Sequence, residues 1–473
     1  MMKTFFFSGV STMGALALMT PQTISAKEAE QKPNIIVVLL DDLGSGDVGF
    51  NGCKDILTPN IDRIAKQGVK FTNAYITAPY SGPSRAGLLT GRYQQRCGAE
   101  GNTDNRSEED MKERRGVPCS EFLMSEALKT QGYKTAAIGK WHLGEDESMW
   151  PQKQGFDYFY GFAGGGYSYW GERNPKKFDW MQENGVEIMP TKTTYITDDF
   201  SDKAVEFINK NAENPFFVYL AYNAPHAGLS APQRYLERTK HIANPERSIY
   251  GAMILAVDDG VGKIWKTLED KGIEENTILI FLSDNGGASY SYSYNYPRRA
   301  RKGQMYDGGT KTPFAMCWGK NLKAGSVYDK TISSLNIYPT VAVAAGVDIS
   351  SLEKKLDGVD MMPYLRGEKK GTPNSKLYWR VWGGKEYAMR SGDYKMVKNH
   401  QYDEPELYNL KEDPTETHNI AAENKALVAQ MHKEYLLWSS ELMAPAWLDN
   451  HGPNLEKDYE NWVKIRKRAS GNR

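Results

Sequence analysis

Asn34-Ile35-Ile36-Val37-Val38-Leu39-Leu40-Asp41-Asp42 sets six consecutive aliphatic residues directly before two acids. A short unbroken apolar run closed by polar residues reads as a strand buried on both faces. The pattern returns at Lys134-Thr135-Ala136-Ala137-Ile138, at Phe216-Phe217-Val218-Tyr219-Leu220 and at Thr277-Ile278-Leu279-Ile280-Phe281-Leu282. Between these runs, Asn60 to Gln67, Ser120 to Gln131, Thr197 to Asn211 and Tyr250 to Lys271 carry helical periodicity, with Ser120 a candidate N-cap. Strands alternating with helices predict an α/β fold: a large, mostly parallel sheet with helices on both faces.

From about Lys376 the texture changes. Leu377 to Val381, Glu386 to Arg390 and Tyr394 to Val397 are short alternating runs parted by Gly383-Gly384 and Ser391-Gly392-Asp393. They predict an antiparallel meander, followed by a helix from about Ala421 to Leu442. The Gly/Lys/Pro-rich stretch from Gly367 to Ser375 marks the expected boundary. At the other end, Lys3 precedes an apolar stretch from Phe5 to Met19, and Ile24-Ser25-Ala26 leads to Lys27. That stretch is too short to span a bilayer and reads as a secretory signal. The expected organisation is a signal peptide over 1–26, a catalytic domain over 27–372 and a smaller α+β domain with an antiparallel sheet over 373–473. Export to the periplasm or medium follows from the signal, with no transmembrane segment in the mature chain.

Lys+Arg and Asp+Glu balance at 59 each, so no global field recruits nucleic acid or an anionic membrane. The four cysteines, Cys53, Cys97, Cys119 and Cys317, permit two disulfides in three pairings, or stand as buried thiols. None has zinc spacing.

The residues following each strand carry the chemistry. Leu40 precedes Asp41-Asp42; Ile138 precedes Gly139-Lys140-Trp141-His142; Leu220 precedes Ala221-Tyr222-Asn223-Ala224-Pro225-His226; Leu282 precedes Ser283-Asp284-Asn285-Gly286-Gly287. In an open α/β sheet, ligands bind beyond the carboxyl ends of the strands. Four strands thus deliver acids, an amide, cations and imidazoles to one edge. Asp41, Asp42, Asp284 and Asn285 offer oxygen ligands only, the donor set of a hard cation such as Ca²⁺ or Mg²⁺. Ala78-Pro79-Tyr80-Ser81-Gly82-Pro83-Ser84-Arg85 then runs into a predicted helix from Ser84 to Leu89. Ser81 falls at that helix's N-terminus, where amide groups favour an anion, and Arg85 lies one turn on.

With these segments in view, the chain resembles the formylglycine-dependent sulfatases of the alkaline-phosphatase superfamily. One family signature stands here as Ser81-Gly82-Pro83-Ser84-Arg85 with Thr90-Gly91 downstream. A second stands as Gly132-Tyr133-Lys134-Thr135-Ala136-Ala137-Ile138-Gly139-Lys140-Trp141-His142-Leu143-Gly144. Further similar segments are Asn223-Ala224-Pro225-His226, Lys302-Gly303 with Asp307-Gly308-Gly309, and Glu406 to Leu410 with Asp413-Pro414; the likeness covers roughly Pro33 to Asn419. Lys311 stands where the family often has Arg.

The resemblance implies an alkaline-phosphatase-like fold and conversion of Ser81 to formylglycine (3-oxoalanine) by a radical iron–sulfur maturing enzyme. It implies one cation, Ca²⁺ by analogy, held by Asp41, Asp42, Asp284, Asn285 and the side chain at Ser81. Arg85 and Lys140 would orient the hydrated aldehyde, and His142 would be the base for elimination. His226 and Lys302, with Lys140, would bind the sulfate and protonate the leaving oxygen.

The leaving alcohol is read from loops. Asn102, Asp104, Asn105, Arg106, Tyr167, Trp170, Arg298 and Arg299 are expected to frame the site, and the basic run Arg298-Arg299-Ala300-Arg301-Lys302 suits a polyanionic glycan. By resemblance to carbohydrate sulfatases with these motifs, the expected substrate is sulfated galactose or N-acetylgalactosamine of mucin or glycosaminoglycan. Alternative readings are an arylsulfatase, a phosphomonoesterase or phosphonate hydrolase using Ser81 directly, and a non-catalytic binder of sulfated glycans.

Overall fold

The computed structural model describes residues 31–103, 114–171, 180–189, 194–399 and 404–447, with 1, 2, 4–6 and 9. The chain divides into Met1–Gln31 and Lys32–Arg473. The expected export signal falls largely outside the described residues. No helix among them is long and apolar enough to cross a membrane.

Strand Asn34–Leu40 lies at the centre of a ten-stranded sheet. It pairs in parallel with Phe216–Ala221 on one side and with Thr277–Ser283 on the other. Lys134–Lys140 continues the parallel array beside Phe216–Ala221, and Tyr158–Phe162 follows it. Antiparallel pairing enters at Phe314–Cys317, which joins Thr277–Ser283 to Val69–Phe71. Mostly parallel with antiparallel margins, the sheet matches the expected fold class.

Side chains alternate between the two faces of each strand. Ile36, Val38, Leu40, Val218, Leu220, Leu279 and Phe281 join one core with helices Pro59–Gln67, Ile196–Asn211 and Pro245–Asp270. Ile35, Val37, Leu39, Phe217, Tyr219, Ile278 and Ile280 join the other, with helices Ser81–Thr90, Met124–Thr130 and Ile337–Ala344. Continuous burial on both faces explains why these runs showed no polar alternation.

The meander is present as Lys376–Val381, Glu386–Ser391, Tyr394–Lys398 and Glu406–Asn409, antiparallel throughout. Helix Lys425–Ser440 covers one face through Met431, Tyr435 and Trp438. Trp379, Val381, Ala388 and Val397 on the other face pack against Tyr75 and Met305 of the main body.

Two helix starts change, and the open reading of the cysteines is decided. The helix placed from Ser120 starts at Met124, because the Glu126 carboxylate accepts the Leu123 N–H at 2.7 Å, while Glu121 turns to pair with Arg92 and Lys354. The helix placed from Tyr250 starts at Pro245, where Asn244 accepts the Arg247 N–H at 2.8 Å. The cysteines are free thiols: Cys97 and Cys317 are buried, Cys53 is half-buried and Cys119 is exposed.

Candidate active site

The strand ends bring Asp41, Asp42, Lys140, His226, Asp284 and Asn285 together, and helix Ser81–Thr90 adds Ser81 as its first residue. The register of the sheet enforces this. The Asp41 N–H donates to the Ala224 carbonyl at 3.1 Å, and the Asp284 N–H donates to the Leu40 carbonyl at 3.0 Å. Gly139 has φ +103°, and a β-carbon there would come within 2.0 Å of the Ala221 carbonyl oxygen. Only glycine lets Lys134–Lys140 lie so close to its neighbour. Asp42 and His142 hold φ of 65° and 59°, an uncommon conformation for non-glycine residues and one found often at functional sites.

Ser81 Oγ lies 2.9 Å from Asp41 Oδ1 and 3.2 Å from Asn285 Oδ1. One hydroxyl proton serves one of these two acceptors. Around it, each buried carboxylate has a cationic partner. Lys140 Nζ is 2.6 Å from Asp41 Oδ2, Lys302 Nζ is 2.7 Å from Asp42 Oδ1, and Arg85 grips Asp284 Oδ2 through Nε at 2.9 Å and Nη2 at 2.8 Å. Arg85 Nη1 also donates to the Lys140 carbonyl at 2.9 Å. Its contacts therefore run to the acid cluster, where it offsets the negative charge of Asp284.

Burial alone would raise the Asp41 carboxyl, but Lys140, with His226, Arg85 and Lys302 nearby, holds it well below its ordinary range. Burial, with the charge of Asp41 beside it, pushes Asp284 up to about 6. Burial opposes the charge on Lys302, yet Asp42 and Asp41 more than offset it and hold the ammonium firmly protonated. Burial lowers the His226 imidazole against the pull of Asp41 and Asp42; its Nε2 is 3.6 Å from Asp42 Oδ2.

The donor chemistry fits a hard cation. Ligand atoms of Asp41, Asp42 and His226 lie within 4.8 Å of one another, and Asp42 Oδ2 is buried with no hydrogen-bond donor among the described residues. Such an oxygen costs folding free energy unless a cation or water meets it.

The remaining expected residues separate. The Gly82 N–H donates to Asn102 Oδ1 at 3.1 Å, which places Asn102 beside Ser81 at the start of the helix. Trp170 donates to Ser230 Oγ at 2.6 Å, and Tyr167 stacks on Phe162. Arg298 donates to the Lys311 carbonyl at 3.4 Å. Arg299 turns away from the cluster: it donates to Tyr408 Oη at 2.8 Å and to the Glu416 carbonyl at 2.7 Å, and it lies over the Tyr306 ring, bracing the small sheet. Asp104, Asn105 and Arg106 lie outside the described residues.

Two tyrosines that the sequence did not single out, Tyr169 and Tyr219, belong to the site, and so does Tyr290, the head of the Ser/Tyr-alternating run from Tyr290 to Tyr296. Tyr169 Oη donates to the carbonyls of Asn223 at 2.7 Å and His226 at 2.9 Å, and so fixes that strand-end loop. Tyr219 sits beside Arg85, and Tyr290 beside Lys302. Tyr219 lies within a strand whose end carries site residues, whereas nothing local marks Tyr169.

A fold of this architecture with oxygen ligands, a helix-borne serine and paired cations at one sheet edge defines a class of hydrolase. The chain matches the model of the sulfatase family over residues 33–347, and that of the N-sulphoglucosamine sulphohydrolase C-terminal region over 299–440. It belongs to the sulfatase family, within the alkaline-phosphatase-like superfamily, and is a sulfuric ester hydrolase. It is 32% identical to the uncharacterized sulfatase YdeN of Escherichia coli (strain K12), over 87% of this chain and 86% of that protein. It is 34% identical to the N-acetylgalactosamine-6-sulfatase of Mus musculus, over 80% of this chain and 74% of that protein. Among solved structures it is similar to Ps i-CgsB in complex with k-i-k-neocarrahexaose, with TM-score 0.84 and 36% identity, covering 93% of this chain and 99% of that one.

Proposed function

We propose that the chain removes sulfate from galactose or N-acetylgalactosamine units of mucin or glycosaminoglycan glycans, using formylglycine formed at Ser81 and one Ca²⁺. The observation that carries this reading is the position of Ser81 Oγ, 2.9 Å from Asp41 Oδ1 at a helix N-terminus, with Lys140, His226 and Lys302 tied to the same acids. The N-acetylgalactosamine-6-sulfatase relative and the carrageenan-bound neighbour support a carbohydrate substrate.

Asp41, Asp42, Asp284 and Asn285 would hold the cation. A bound Ca²⁺ would supply positive charge that favours ionised oxygen at position 81 and on the sulfate. A formylglycine at position 81 would supply, once hydrated, two hydroxyls on one carbon: one that would lose its proton as it bonds sulfur, and one whose proton loss would expel sulfate. The protein's own groups do the rest. Arg85 and Lys140 fix Asp284 and Asp41 and lower the cost of gathering negative charge. Lys302 and His226 would bind the sulfate oxygens and, between them, supply the proton that the departing sugar oxygen takes. The His142 imidazole takes the proton of the second hydroxyl. Water and the ester are consumed, and the alcohol and sulfate are released.

The chain is read as exported through its N-terminal segment and matured by a radical iron–sulfur enzyme. The test has two parts. Intact mass of chain co-expressed with such an enzyme is expected to show loss of two hydrogens at Ser81. The matured chain is then screened for sulfate release from regiochemically defined sulfated mono- and disaccharides and from an aryl sulfate. Matured protein that releases no sulfate from any of them defeats the reading, and preference for the aryl ester alone defeats its carbohydrate part.

A further inference from the structure

The Ser/Tyr-alternating segment from Tyr290 to Tyr296 is held rigid and open at the margin of the site. Arg247 anchors it from beneath. Its Nη1 donates to Asp47 Oδ1 at 2.6 Å and to the Tyr292 carbonyl at 3.1 Å, and its guanidinium lies 3.9 Å from the centre of the Tyr294 ring. The Tyr294 N–H donates to Asp47 Oδ2 at 2.9 Å, and Asn295 exchanges hydrogen bonds of 2.9 Å with both backbone groups of Gly287. Gly287 lies two residues beyond Asn285, and its carbonyl also accepts the Lys302 N–H at 3.2 Å. The segment is thereby fastened to the acid cluster and to Lys302.

On this frame the rings face water: Tyr294 is 51% and Tyr296 85% exposed. They border a cleft of about 310 Å³ lined also by Ser289, Asn295, Arg298 and Arg301. No acid lines it. Neither Arg298 nor Arg301 pairs with a carboxylate among the described residues, and Arg301 is exposed. Arg298 is half-buried and answers to the charge of Asp307, whereas Arg301 is an exposed cation without a carboxylate partner among the described residues. That cation, with hydroxyl and amide groups and rings that have an apolar face and a polar tip, makes a surface suited to an anionic sugar.

We propose that this cleft is a second sugar subsite, which receives an anionic sugar adjoining the one whose sulfate ester is cleaved. The preferred substrate is then an oligosaccharide charged on neighbouring units rather than a single sulfated sugar. This rests on the sulfate-ester reading above, and adds to it where the rest of the chain binds. The neighbouring charge is either a sulfate or a uronate carboxylate, and both are anions that an arginine fork accepts.

The test measures binding calorimetrically on the full-length chain carrying Ser81→Ala, so that no turnover intervenes. The probes are a carrageenan hexasaccharide (neighbouring sulfates), a chondroitin 6-sulfate tetrasaccharide (neighbouring uronates) and N-acetylgalactosamine 6-sulfate alone. At least one oligosaccharide is expected to bind more tightly than the single sugar. Adding Arg301→Gln or Tyr296→Ala is expected to lower the ratio of oligosaccharide to single-sugar affinity about three- to tenfold, with the arginine effect shrinking as salt rises. The responding oligosaccharide identifies the neighbouring anion. An unchanged ratio for both oligosaccharides, or a single sugar bound as tightly as either, overturns the subsite. Sulfate release by the matured chain is scored separately: its failure defeats the catalytic reading while the binding ratio still decides the subsite.

Discussion

Ser81 Oγ and Asp41 Oδ1 stand 2.9 Å apart across 40 residues of sequence, with both side chains out of contact with water. As a hydrogen bond this contact contributes little to stability, because a neutral hydroxyl gives about 1 kcal/mol net. As the place where the proposed nucleophile would form, it is expected to carry the whole reaction. Ser81→Ala should therefore shift unfolding free energy by no more than about 1–2 kcal/mol, yet lower sulfate release by at least about 10⁴-fold. Denaturant melts and a sulfate-release assay on the matured protein check the two halves. Activity within tenfold of the parent would show that the serine is a helix-start residue and no more.

The acids around Ser81 make a second expectation. With Asp42 Oδ2 lacking a donor among the described residues and Asp41, Asp42 and His226 convergent, a bound cation stabilises the folded chain by mass action, about 2.7 kcal/mol at a hundredfold excess over Kd. Chelation should abolish sulfate release and lower the melting temperature by several degrees. Ca²⁺ should restore both, and more effectively than Mg²⁺, whose stricter octahedral demand the proposed set of four oxygen-bearing side chains would meet less well. A melting temperature indifferent to chelator and to added Ca²⁺ would mean that the cluster balances its charges through Lys140, Lys302 and Arg85 alone.

Much of this was legible before any coordinates, for a physical reason. A parallel strand buried on both faces must be continuously apolar, so its end is marked sharply, and whatever polar residue follows lies at the binding edge. That is why Asp41, Lys140, His226 and Asp284 could be read off. Partners distant in sequence could not. The Arg85–Asp284 pair joins residues 199 positions apart, and nothing in either segment specifies the other. Arg299 belonged to a basic run facing the expected substrate, but cation–π packing on Tyr306 and a hydrogen bond to Tyr408 draw it to the small sheet. The Asn244-Pro245 helix start was visible chemistry passed over, since an N-cap followed by proline is a start signal in its own right. The Glu126 carboxylate that begins the helix at Met124 competed with Ser120 and won by reaching back to Leu123.

The cysteines make a pH prediction whose sign is fixed by burial. Desolvation in apolar surroundings pushes the Cys97 and Cys317 thiols up from 9.0 to about 12. The folded state then holds these protons where the unfolded chain releases them. Their contribution is fully present below pH 9 and is lost as pH rises from 9 toward about 12. Cys317→Ala should flatten the fall in stability over that window, at the cost of a cavity of one sulfur atom. At pH 8, a thiol reagent should label the exposed Cys119 first and should reach Cys97 and Cys317 only on unfolding. Rapid labelling of either buried thiol, or a mass showing oxidised pairs, would contradict four free cysteines.

The small sheet is tied toward the start of the Ser81 helix through a buried ion pair. Arg380 donates through Nε to Glu100 Oε2 at 2.9 Å, and its Nη2 lies 2.7 Å from the same oxygen, with both side chains removed from water. Glu100 Oε1 accepts the Gly383 N–H at 2.7 Å, and Gln95 donates to the Arg380 carbonyl at 2.8 Å. Glu100 stands two residues before Asn102, whose side chain receives the Gly82 N–H beside Ser81. Removing one partner strands a buried charge, so Arg380→Met should cost about 3–5 kcal/mol. Arg380→Met combined with Glu100→Gln should recover a large part of that, because neither group then needs a counter-charge. The functional arm separates positioning from mere stability. In Arg380→Met assayed well below its melting temperature, kcat should fall more than KM rises, because the disturbance reaches the start of the Ser81 helix through Asn102. A folded Arg380→Met chain with parental kcat would confine the ion pair to holding the sheet in place.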